Sequence, residues 1–272
     1  MNRRRESFDD VAELYDQARP AYPPRLIDDL IEVTALGPDQ RVLEIGPGTG
    51  QLTLPLANLG VSLIAVELGS RLADVTRRKL SRFKQAEVVV ADFDQWRLPD
   101  TRFDLVVVGT AFHWLNPATR IQKCVDALRP GGTLAIIETH WGIAAGADPF
   151  FVASQSCYAR WDPEHDSAFR APRPEDLPEE RGDLEESQLF EQIIHRRYLC
   201  HRAYSASQYC ALLGTFSNIL TLDKPSRTGF LACIGDMILT QFGGRIVRHD
   251  LYDLWLARTC DTSYDVTESL SC

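Results

Sequence analysis

A chain of 272 residues with 44% hydrophobic and 25% charged positions has the composition of an ordinary globular protein, long enough for one large domain with an insertion or for two small ones. Its net charge of −9 argues against holding a nucleic acid by its phosphates, which takes clustered Lys and Arg. No apolar run approaches the ~18 residues that cross a bilayer, and charges are scattered through the first ten positions where a leader would be apolar. The one basic cluster, Arg3-Arg4-Arg5, reads as a solvated tail. The expected partner is therefore a small-molecule substrate, with no nucleic acid and no membrane. Seven cysteines (Cys124, Cys157, Cys200, Cys210, Cys233, Cys260 and Cys272) are an odd number without C-x-x-C spacing. That pattern suggests neither a zinc site nor a disulfide framework, and the chain reads as cytoplasmic with reduced thiols.

Residues 1–40 predict two helices, the second starting near Pro23-Pro24 and carrying Leu26, Ile27, Leu30 and Ile31, packed across the mouth of a sheet. From 41 to 138, short β-rich runs alternate with helical patterns. The runs are Arg41–Ile45, Val61–Val66, Val88–Val90, Phe103–Val108 and Thr133–Ile137. They are nearly continuous in apolar residues, as strands buried on both faces should be. A helical stretch from Gln51 to Leu59 follows the first run. A clearer one runs from Asn116-Pro117 to Leu128, with Asn as N-cap, Pro in the first turn, and Ile121, Cys124, Val125 and Leu128 on one face. Arg129-Pro-Gly-Gly132 then breaks it. Such alternation implies right-handed crossovers and an α/β, Rossmann-like, doubly wound sheet.

After residue 138 the pattern changes. Residues 162–191 are rich in Asp, Glu and Pro without a strand signal, and read as a solvated loop or as part of a lid over the substrate. Tyr204 to Leu222 reads as helical, and Arg245 to about Leu256 as strand. The division that results is an N-terminal helical cap (1–40), a cofactor-binding core (41–140), a lid or substrate insertion (141–200), and a C-terminal helix and last strands (201–272). The last of these complete a mostly parallel, seven-stranded sheet.

The first strand runs into Glu44-Ile-Gly46-Pro47-Gly48-Thr-Gly50 and then a helix. Glycines at a strand-to-helix turn let backbone approach a ligand, and the helix start offers free N–H groups. A dinucleotide fingerprint, G-x-G-x-x-G, would place its third glycine at 51, where Gln stands. A nicotinamide oxidoreductase is disfavoured on that spacing.

Glu-x-Gly-x-Gly-x-Gly instead resembles the first motif of the class I S-adenosylmethionine-dependent methyltransferases. The resemblance implies that Glu44 helps hold the glycine loop and that Gly46, Pro47, Gly48 and Gly50 line the methionine half of S-adenosyl-L-methionine. Glu67 ends the second strand, where a carboxylate can accept both hydroxyls of a ribose bound across the switch point. In Ala91-Asp92-Phe93, after the third strand, the family pattern implies Asp92 for the adenine amino group and Phe93 against the ring. Asp94, two residues on, is the alternative. Gly109-Thr-Ala-Phe-His-Trp114 follows the fourth strand, where Thr110, Ala111 and Trp114 would face the cofactor's methyl end. Phe8-Asp-Asp-Val-Ala-Glu-Leu-Tyr15 and Ala18-Arg-Pro-Ala-Tyr-Pro23 look like the opening of a bacterial small-molecule, type 11-like branch, in which Tyr15 and Arg19 would close over the cofactor.

The chemistry implied is in-line displacement at the methyl carbon, with positioning the main source of rate. His113, beyond the fourth strand, and His140, at the end of the fifth, are the candidate catalytic residues, since a neutral imidazole can take a proton from the acceptor. Trp141 is a further candidate for facing the acceptor. No metal is expected. A non-methylating binder of the same cofactor, or a cyclase, is the alternative function on this fold.

Overall fold

Residues 3–142, 149–166 and 168–260 are described by a computed structural model of the chain. Seven strands form one sheet: β1 (Arg41–Ile45), β2 (Ser62–Glu67), β3 (Ala86–Val90), β4 (Phe103–Gly109), β5 (Leu128–Trp141), β6 (Phe190–Ser205) and β7 (Arg245–Thr259). Their order is β3-β2-β1-β4-β5-β7-β6. The first five strands pair in parallel, and β7 runs antiparallel between β5 and β6. The expected mostly parallel, doubly wound sheet of seven strands is present. Crossovers lead one way from β1 through β2 and β3, and the other way through β4 and β5. They part beside β1, which opens a crevice at the carboxyl ends of the strands.

The helices are α1 (Arg3–Glu6), α2 (Ala12–Ala18), α3 (Pro24–Thr34), α4 (Thr53–Asn58), α5 (Ser70–Leu80), α6 (Arg120–Ala127), α7 (Pro149–Trp161), α8 (Gly182–Glu186), α9 (Ala206–Leu213), α10 (Ser217–Leu220) and α11 (Lys224–Gln241). Strand side chains alternate between two buried layers. Val42, Leu105, Val107 and Ile137 pack with Leu26 and Leu30 of α3, Leu56 of α4 and Ala73 of α5. Leu43, Ile45, Val106, Val108 and Ile136 face the other way, towards Cys124 and Ala127 of α6. Burial on both faces is why these strands read as unbroken apolar runs.

Several elements differ from the sequence reading. The helix expected from Asn116 begins at Arg120. Asn116 spends its side chain on the Ala118 amide and its carbonyl on the Thr119 and Arg120 amides, which makes a turn of the first residues. The stretch from Tyr204 to Leu222 is not one helix. Tyr204 and Ser205 end β6, α9 and α10 follow, and the Ser205 side chain caps α9 with Gln208 in a reciprocal box. β6 crosses the division at 200, so the last eleven residues of the 141–200 segment, from Phe190 onward, belong to the sheet.

A third cluster, apart from the sheet, joins α7, α9 and α11 through Phe150, Leu212, Leu213, Phe230, Ile234 and Ile238. Within it Cys157 of α7 and Cys233 of α11 form a disulfide, with Cα atoms 5.9 Å apart. This corrects the expectation of uniformly reduced thiols: the partners lie 76 residues apart on two helices, a relation that local cysteine spacing does not reveal. Cys272 lies outside the described residues. Among the described residues no helix is long and apolar enough to cross a membrane.

Candidate active site

A cavity of about 410 Å³ opens at the carboxyl ends of the central strands. β1 delivers the glycine turn to it. Gly46 has φ +68°, and a Cβ there would lie 2.7 Å from the Ala111 Cβ, closer than carbons pack. Gly48 has φ +60° and lies directly under the Tyr15 ring. Both positions take glycine for conformation, and Gly46 for space as well.

Glu67 is locked in place by backbone. Its Oε2 accepts from the Gly48 amide at 2.9 Å and its Oε1 from the Gly69 amide at 2.8 Å. Burial keeps the carboxyl above its ordinary value in spite of these amides. The Leu68 amide acts on it as well, and a carboxylate has about four acceptor positions, so room remains for a ligand's hydroxyl. Glu44 is buried more completely. Its Oε2 has no hydrogen-bond partner among the described residues, and burial, with the charge of Glu67 added, pushes its carboxyl up to about 8. It borders a side cavity of about 40 Å³, shared with Arg19, Tyr22, Gly46 and Pro47.

Asp92 and Phe93 line the main cavity, and Arg5 pairs with Asp92 at 2.6 Å. Asp94 is not among the cavity residues, and its carboxylate accepts from the Asn116 amide. After β4 the chain turns through Thr110 at φ +56°, a left-handed conformation that costs a non-glycine residue about 1 kcal/mol or more. Three contacts hold it there. The Thr110 amide donates to the Ile137 carbonyl at 2.7 Å, and its Oγ1 bonds Tyr22 Oη at 3.1 Å and Thr139 Oγ1 at 2.8 Å. Ala111, His113 and Trp114 beyond this turn line the cavity.

The N-terminal segment lies across the opening. Phe8 meets Tyr15 and Trp114 edge to face at 5.9 and 6.0 Å. Asp9 Oδ1 accepts from the Arg71 and Leu72 amides in the first turn of α5, while Glu13 pairs with Arg78 and Asp16 with Lys79. The Arg19 guanidinium sits 4.9 Å from the Tyr15 ring and donates to the Thr215 hydroxyl and carbonyl at 2.8 and 2.7 Å. Burial lowers its pKa, and among the described residues its guanidinium forms no ion pair with a carboxylate. Hydrogen exchange of residues 5–19 should slow on adding S-adenosylhomocysteine if this segment closes over the ligand. Equal exchange with and without it would reject closure.

The two histidines differ. His113 is exposed on the rim, 4.6 Å from the Trp114 ring. Partial desolvation lowers its pKa, Glu138 opposes this, and the cations of Arg120 and Arg181 reinforce it. His140, on β5, also lines the cavity, and its Nε2 lies 3.0 Å from Asp253 Oδ2. Asp253 has no exposed surface and also receives His195 Nε2 at 2.8 Å and Arg197 Nε and Nη2 at 2.8 and 3.1 Å. Burial alone would raise its carboxyl, but hydrogen bonds from His140, Arg197 and His195 hold it down at about 2.

The cavity thus gathers Tyr15, Arg19, Gly46, Gly48, Glu67, Asp92, Phe93, Thr110, Ala111, His113, Trp114 and His140. Glu44 and Pro47 border the side cavity, and Gly50 stands behind the turn at φ +87°, against Thr76. The sequence reading left out Arg5, Glu138, Phe216 and Asp253. Only Asp253 had a signal, as a lone acid in the apolar run Tyr252–Leu256.

This geometry coincides with what comparison with known proteins shows. Residues 43–136 match the family model of a methyltransferase domain. An uncharacterized methyltransferase of Mycobacterium tuberculosis is 36% identical over 131 residues, 48% of this chain and 51% of that one. An rRNA adenine N-6-methyltransferase of Corynebacterium diphtheriae is 37% identical over 140 residues, half of each chain. The chain spans about half the length of these curated relatives. An S-adenosylmethionine-dependent methyltransferase of Geobacter sulfurreducens, solved with S-adenosylhomocysteine, superposes over 90% of this chain and 96% of its own, with TM-score 0.52 and 14% identity, a likeness of fold. Residues 43–136 thus match a methyltransferase domain, on a fold shared with solved S-adenosylmethionine-dependent methyltransferases.

Proposed function

We propose that the chain transfers a methyl group from S-adenosylmethionine to a small-molecule acceptor. The observation that carries this reading is the polarity of the cavity. Glu67 is fixed by loop amides with acceptor room to spare, and Arg19 sits among aromatic rings without a carboxylate ion pair among the described residues. A zwitterionic nucleoside fits that layout. Glu67 would take a ribose hydroxyl, Asp92 the adenine amino group, Arg19 the carboxylate, and the orphaned Glu44 oxygen the ammonium. Bound there, S-adenosylmethionine supplies an electrophilic methyl on a sulfonium whose C–S electron pair stays with sulfur. Glu67→Ala should weaken S-adenosylhomocysteine roughly tenfold or more in a folded protein. Unchanged affinity by calorimetry would sink the assignment.

The chain's own contribution to chemistry is positioning and one proton transfer. Asp253 engages Nε2 of His140, which leaves Nδ1 as the nitrogen available to take a proton from the acceptor. In this reading His140 is the base and His113 shapes the rim. His140→Asn should cut turnover roughly 10²-fold with cofactor affinity kept, while His113→Asn retains most activity. The reverse pattern would transfer the role to His113. A small acceptor is favoured over nucleic acid by the net charge of −9 and by the N-terminal segment that narrows the opening.

A further inference from the structure

Next to the cofactor cavity lies a second chamber of about 310 Å³, within the size range of small-molecule sites. Trp141, Phe216 and Asn218 line both spaces and form the partition between them. The Trp141 and Phe216 rings are 5.6 Å apart, and a guanidinium lies against them from each space. Arg19, which lines the cofactor cavity, is 5.1 Å from Trp141 and 4.6 Å from Phe216. Arg248, which lines the second chamber, is 5.2 and 5.1 Å from the same rings.

The remaining walls are dominated by rings: Phe150, Phe151 and Tyr158 of α7, Tyr209 of α9, and Phe169. Its charges are unfavourable to an anion. Arg248 Nε pairs with Asp250 Oδ1 at 2.7 Å while its Nη1 has no hydrogen-bond partner among the described residues, and Asp162, Glu164 and Asp166 bring three carboxylates to the same space. A phosphate-bearing nucleic acid would meet those carboxylates where it needs Lys and Arg. Flat apolar faces, with carboxylates in excess over the single guanidinium, suit an uncharged ring system, and the free Arg248 Nη1 can donate to an acceptor atom on it.

We propose that this chamber is the acceptor site and that the acceptor is an uncharged aromatic small molecule, whose nucleophile passes the Trp141–Phe216 partition to reach the methyl group. The proposal rests on the methyltransferase reading above and names the substrate class for it.

The test uses the full chain with S-adenosylhomocysteine. Its binding is measured first by calorimetry, and its absence would overturn the methyltransferase reading and the chamber with it. With the cofactor product bound, indole, quinoline and 2-naphthol are titrated against 2-naphthoate and a single-stranded RNA oligonucleotide. At least one neutral ring compound should bind tenfold or more tightly than 2-naphthoate. Ser154→Trp, which fills the chamber, should abolish that binding and leave S-adenosylhomocysteine affinity within twofold. Phe169→Ala, at an exposed wall residue, is the gentler variant should the first not fold, and should weaken ring binding fivefold or more. Binding of no neutral ring, tighter binding of naphthoate or RNA, or ring affinity unmoved in the folded variants would each overturn the chamber while the cofactor reading stands.

Discussion

Replacing Asp253 by Ala is expected to destabilise the fold by about 3 kcal/mol, the scale for removing one partner from a buried charge network. The carboxylate serves two histidines and an arginine drawn from β5 and β6, and the substitution leaves Arg197 hydrogen-bonded to the carbonyls of Pro174, Leu177 and Pro178, with no carboxylate hydrogen bond among the described residues. A pH signature follows. The folded-state carboxyl is held at about 2, below its ordinary 3.8, so its contribution is complete above pH ~4 and is lost as pH falls towards 2. That contribution is about 2 kcal/mol. Asp253→Asn keeps the shape and cannot ionise, so its denaturant midpoint should fall less than the wild type's between pH 4 and 2. Parallel acid limbs in the two proteins would remove Asp253 as the source.

Breaking the Cys157–Cys233 bond is expected to cost about 4 kcal/mol, the chain-entropy value for a closed loop of this length. The bond ties α7 to α11 in the cluster beside the sheet. Wild type in dithiothreitol and the Cys157→Ser/Cys233→Ser double variant should show the same lowered denaturant midpoint. A midpoint unaffected by reductant, equal to that of the variant, would mean that the thiols are free in solution.

What the sequence made legible was local. Glu44, the glycines and Glu67 sit at strand ends followed by turns, and it was the resemblance to a family motif, added to that spacing, that implied a shared crevice for them. Asp92 was assigned on the family pattern with Asp94 as its alternative, because two residues on a short turn point to different neighbours: one lines the cavity and the other caps the loop at Asn116. β6 escaped detection because, as the edge strand, it carries Glu191, Gln192, Arg196, Arg197 and His201 with no apolar period. The Asp253 network was invisible for another reason. Its partners His140, His195 and Arg197 come from two other strands and meet only through the β5-β7-β6 register.

The N-terminal segment has a kinetic consequence. Residues 5–16 are fastened by an apolar contact of Phe8, Ala12 and Tyr15 with Leu72 and Val75, and also by charge, through Arg5 to Asp92, Asp10 to Arg71, Glu13 to Arg78 and Asp16 to Lys79, several of them in contact with solvent. Counterions weaken the charged fastenings over a Debye length of about 8 Å at physiological ionic strength, while the apolar packing of the sheet is indifferent to them. Arg5 is moreover bonded to the carboxylate assigned to adenine, so a ligand entering must displace it and a ligand leaving can be replaced by it. Rising salt is therefore expected to loosen the segment while leaving the fold intact, and the rate of S-adenosylhomocysteine release measured against ionic strength checks this.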